Sequence, residues 1–175
     1  MQRPSPDAER PHPLGWRQLG STVATIFVVA VLGNYPWELA QAPLYVGMGS
    51  VRTMWWHCFV ASLGDGLMVL GIVAGGMVIL RRPAWFVRPG VQGVIVMVAM
   101  GLVLGVTVEW VAVHVLQRWA YTARMPRLPG LDVGLVPVAQ MLVLPPLIVR
   151  AVAKWQGFIG TRRDAVPSGR GKQET

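Results

Sequence analysis

The chain has 175 residues, 53% hydrophobic and 14% charged, a balance that excludes an ordinary soluble domain and fits one small integral membrane protein. Its formal net charge of +8 comes from basic residues that lie mostly in tails and loops, which suits membrane orientation and argues against nucleic acid as a partner. Cys58 is the only cysteine, so an internal disulfide and a Cys-rich metal site are both excluded.

Residues 1–15 are polar and punctuated by Pro4, Pro6, Pro11 and Pro13, and read as a flexible cytoplasmic tail. The apolar run Ser21–Gly33 lacks a small-residue cleavage site and reads as a span that stays. It is too short alone, since a crossing needs roughly 20 residues. Span 1 is therefore set at about 16–45, which brings Glu38 to the membrane edge, with Pro36 expected to kink it. After the short loop Val46–Thr53, span 2 covers about 54–80 and closes at Arg81 and Arg82. Arg81–Gly90 reads as a basic turn and 91–116 as span 3. A longer loop, Gln117–Asp132, carries Arg118, Arg124 and Arg127. Span 4 is set at 133–149, broken near its middle by Pro145 and Pro146, with a basic C-terminal tail over 151–175.

The expected fold class is thus all-α, a four-helix transmembrane domain over 16–150. The N-tail, the Arg81–Gly90 turn and the C-tail hold twelve basic residues against four on the other side, namely Arg52 and the three of the last loop. The positive-inside rule then places both termini in the cytoplasm. Fourteen of the sixteen basic residues are Arg, which with the Ala, Gly and Val content suggests a GC-rich bacterial genome and hence an inner membrane. All eight Trp fall near the expected interfaces: Trp16, Trp85 and Trp155 inside, and Trp37, Trp55, Trp56, Trp110 and Trp119 outside.

The polar residues of the spans gather on the outer side. Glu38 lies near the end of span 1, His57 at the start of span 2, Glu109 and His114 at the end of span 3, and Gln140 about two turns into span 4. Asp65 is the deepest, roughly 12 Å below His57 at 1.5 Å per residue. Asn34, Glu38, Gln41 and Tyr45 form one helical stripe, and His57, Ala61 and Asp65 another. Ionisable side chains in a bilayer are costly and usually face a bundle interior or a water-filled cavity. Glu38, Gln41, His57, Asp65 and Glu109 are therefore the best set for one convergent site, with His114 less well aligned.

Such a set suits acid–base work, with Glu38 and Glu109 as acid and base, His57 as their partner and Asp65 as a buried orienting carboxylate. Gln41, Tyr45 and Gln140 would contact a ligand, while Arg118 and Arg124 would hold an anionic headgroup. Glu38, His57 and Glu109 are also the candidates for holding a divalent metal, the one cofactor these donors suggest. The competing reading is that Asn34, Gln41, Ser62 and Gln140 only fasten helices together, at about 1 kcal/mol or less each. No H-E-x-x-H, nucleophile elbow, phosphate loop or Cys/His zinc pattern singles out a reaction. Gly71 and Gly75, and Gly101 and Gly105, are spaced to let helices approach closely, and Gly64 and Gly66 flank Asp65.

The expected function is an outer-leaflet polar cavity that takes a lipid-like or amphipathic molecule from the bilayer and acts on it by acid–base chemistry. The alternatives are a small homo-oligomeric proton-coupled transporter, which needs polar access from both sides, and a non-catalytic subunit or assembly factor of a membrane complex.

Overall fold

The long apolar runs all become helices. In the computed structural model, which describes residues 16–48 and 51–164, these are α1 (Trp16–Gln41), α2 (Val51–Leu80), α3 (Gly90–Trp110) and α4 (Leu135–Asp164). All four are long and apolar enough to cross a membrane. Their outer faces are apolar, and some polar side chains are buried between them. Leu32, Val78, Val91 and Val103 are 63–77% exposed, whereas Asn34 and Ser62 are 0% and Gln140 is 1% exposed. An apolar outer surface of this kind fits membrane surroundings.

One end of the bundle, here the lower end, is closed by apolar packing. Ile26, Ala30, Val69, Ile72, Met97, Val149 and Val152 meet there with Trp85 and Phe86. The two aromatics belong to a short 3-10 turn, Trp85–Val87, between α2 and α3. Trp85 is therefore no surface anchor, as its place in a basic turn suggested. It is 1% exposed, and its indole N–H donates to the Val73 carbonyl at 3.0 Å. Gly76 makes the room: a Cβ there would lie 2.2 Å from the indole ring. Trp85→Ala should cost about 3–5 kcal/mol through the cavity it leaves, read as a lowered thermal midpoint of the protein in detergent.

The glycine spacings divide. Gly71 has nothing within 4 Å of a Cβ position and is not a packing surface, whereas a Cβ on Gly75 would meet the Met100 side chain. On α3, Gly101 and Gly105 both lie against α4, next to Met141 and Val138. Pro145 and Pro146 do not break α4, which continues to Asp164, well past the expected stop at Val149. Proline removes the N–H that would serve the carbonyl four residues earlier. For Pro145 that carbonyl belongs to Met141, and Gly101 is packed directly onto it. Close backbone approach of this kind permits Cα–H···O contact, so a neighbouring helix compensates the defect.

The upper end is built differently. α1 passes through Pro36 and ends in the 3-10 turn Ala42–Leu44. α3 ends in a π-turn, Val111–Val115, with Leu116 N–H donating to the Val111 carbonyl at 2.8 Å. The two upper connections pair across the top: Val46 N–H donates to the Ala120 carbonyl and Thr122 N–H to that of Leu44, both at 2.9 Å. The all-α expectation needs one amendment here. Two short antiparallel strands, β1 (Arg127–Leu128) and β2 (Val133–Gly134), pair Arg127 with Gly134 and Leu128 with Val133. Arg127 is tied to Asp132 at 2.9 Å and lies over the Tyr121 ring, which accounts for one of the three arginines of this loop.

Candidate functional site

The stripe expected on α1 forms, and α4 ties it to α2. Gln140 Nε2 donates to Asn34 Oδ1 at 2.7 Å and to Asp65 Oδ2 at 2.8 Å. Gln41 Nε2 donates to Glu38 Oε1 at 2.6 Å and to Gln140 Oε1 at 3.1 Å. Glu38 and Asp65 also reach each other directly. Two side-chain amides thus hold two carboxyl groups in one network spanning three helices. Asn34 is fixed in turn by its Nδ2, which donates to the Ala30 carbonyl at 2.8 Å.

Glu109 forms a second centre. Its Oε1 accepts from Tyr121 Oη at 2.5 Å, Trp119 Nε1 at 3.2 Å and Tyr45 Oη at 3.4 Å. The Tyr121 hydroxyl also accepts from the Gly134 N–H at 2.8 Å, so Glu109 is linked through it to the β-ribbon. Burial, then the hydrogen bond to Glu109, pushes the Tyr121 phenol well above its ordinary range, which keeps it a donor. The π-turn and the left-handed backbone of Gln117 (φ +48°) bring the chain back so that Trp119 and Tyr121 reach α3 again.

Both centres border one cavity of about 720 Å³ at the upper end. Glu38, Asp65 and Glu109 line it together with Gln41, Tyr45 and Gln140. His57 lines it from α2, with Nδ1 2.7 Å from the Thr53 carbonyl. A carbonyl only accepts, so Nδ1 is the donor in that contact. Arg118 also lines the cavity, but Arg124 does not. His114 lies outside it, with Nε2 3.2 Å from the Leu131 carbonyl. Among the described residues no three His, Cys, Asp or Glu side chains come together as a metal-binding group. Glu38, His57 and Glu109, the metal candidates, border the same cavity without forming such a group, and Oε1 of Glu109 is turned to three aromatic donors.

Trp119 and Tyr121 were legible only as interface aromatics. The signal that could have marked them is their polar tips, which need a partner when buried, set ten and twelve residues beyond a buried acid. The two glycines beside Asp65 also differ in role. A Cβ on Gly66 would sit 3.0 Å from Phe27 and Val31 of α1, whereas one on Gly64 would meet nothing within 4 Å. No protein-family model, curated protein or solved structure matches this chain, so a functional reading rests on the site alone.

Proposed function

We propose that this is a multi-pass bacterial inner-membrane protein whose cavity opens toward the outer leaflet, binds an amphipathic lipid-like molecule and performs acid–base chemistry on it. The observation that carries this reading is that all three acids of the apolar segments border one cavity. Four helices over 16–150 form the transmembrane domain, and the excess of basic residues in the two tails and the α2–α3 turn supports cytoplasmic termini. Glu38, held by Gln41, exchanges a proton with the ligand, and Asp65, held by Gln140, is its partner carboxyl. Glu109 organises the aromatic lid of the cavity in place of the base role expected from sequence. His57 and Arg118 stand at the rim. The apolar filling of the lower end by Trp85, Phe86, Ile72 and Met97 supports one-sided access over a transport pathway.

Glu38→Gln and Asp65→Asn test this in a strain lacking the gene, scored by membrane lipid composition. Each is expected to reduce function by about 10²- to 10⁴-fold, the usual worth of a positioned acid or base, at unchanged protein level. Normal function in both variants would remove the acid–base role.

A further inference from the structure

The cavity has an open side. α2 and α3 are held together at the lower end, where Gly75 faces Met100. Toward the upper end Val60, at 49% exposed, and Val108, at 42%, border the cavity from α2 and α3. Ala61 and Gly64 border it too and are exposed. Both flanks of this seam are apolar or bare backbone, and both belong to segments that read as membrane-spanning. An amphiphile could therefore enter sideways from the bilayer without first crossing into water.

The deep end of the cavity presents acceptors. Glu38 and Asp65 line it, and so does Gln41, which is 3% exposed and whose Oε1 is buried without a hydrogen-bond partner. The unpartnered Oε1 leaves this network short of a donor, and a donor brought by a ligand to Glu38 or Asp65 would join the same network. Charge points the same way: three carboxyl groups line the cavity against one arginine, Arg118 at the rim.

Building on the proposed lipid-like ligand, we infer that the cavity admits it laterally between α2 and α3, past Gly64, and selects a head that donates hydrogen bonds, a hydroxyl or an ammonium group, over a carboxylate. The head faces Glu38, Asp65 and Gln41, and the chain lies along Ala61, Gly64 and Val108.

Full-length protein in mild detergent, offered hexadecylamine, hexadecanol and hexadecanoate in turn, tests this by native mass spectrometry. The amine, the alcohol or both should bind at least about tenfold more tightly than the carboxylate, and Gly64→Phe should weaken that binding by about tenfold or more. A Cβ at Gly64 meets nothing within 4 Å, so the side chain can start into open space, and the thermal midpoint of the variant, measured alongside, shows that it is folded. Retention of the amine alone would assign an ion pair, and of the alcohol as well, a hydrogen-bonded head; both support the inference. Equal binding of the carboxylate, lost in Gly64→Phe, would overturn the head-group selection and leave a lipid-binding cavity standing. Binding that survives Gly64→Phe in a folded protein would overturn the lateral entrance. Retention of none of the three would overturn the inference, while the acid–base reading stays open to the Glu38→Gln and Asp65→Asn strains.

Discussion

Glu109→Ala is expected to loosen the whole upper end of the molecule while leaving the lower core intact. Tyr45, Trp119 and Tyr121 all direct donors at Glu109 Oε1, and the carboxylate is 4% exposed. Removing it strands three part-buried donors, each at a cost toward the lower end of about 1–3 kcal/mol. Tyr121 holds Gly134 N–H, and the backbone around it pairs with Leu44 and Val46, so the loss spreads into both upper connections. A total of about 3 kcal/mol or more is expected because the three donors act as one network. It should appear as a lowered thermal midpoint and as faster proteolysis within residues 117–132. Glu38→Gln should show neither change, since an amide retains an acceptor for Gln41. If Glu109→Ala were as stable as the parent, Glu109 would not be the keystone of the lid.

Gly101→Ala should be as damaging, for a steric reason. A Cβ at this position would lie 2.1 Å from the Met141 carbonyl oxygen, and that obstacle is backbone. No rotamer change relieves such a contact, so α3 and α4 must separate along the seam that compensates Pro145. Overpacking of well-fitted cores costs about 1–3 kcal/mol. A rigid backbone clash belongs at or above the upper end of that range. Gly71→Ala is the internal control, because the space beside Gly71 is open and alanine favours helix by about 1 kcal/mol over glycine. The thermal midpoints of the two variants should therefore move in opposite directions.

The four helices and the polar stripe on α1 could be read from composition and spacing. Apolar runs of this length have few other stable forms, and helical periodicity places Asn34, Glu38 and Gln41 on one side without knowledge of the neighbours. The same reasoning brought Asp65 and Gln140 to the level of the site but could not join them. Whether Gln140 reaches Asp65 depends on how far α4 is rotated about its axis, and sequence spacing within one helix carries no such information. Proline was misjudged for a related reason. Pro145 and Pro146 weaken a helix locally, but α4 continues through them with Gly101, more than forty positions away in the chain, packed against the Met141 carbonyl.

The sequence by itself determined that this protein has four long apolar helices and that the three acids of its apolar segments gather toward one end. Both follow from local chemistry, from the cost of exposing backbone in an apolar medium and the period of a helix. The tertiary structure alone decided the hydrogen-bond partners of those acids. It joined Glu38 to Asp65 through two glutamines and turned Glu109 toward Trp119 and Tyr121. It also left the seam beside Gly64 open. Hydrogen bonds between distant residues depend on the packing and rotation of whole helices, which side-chain identity alone does not encode.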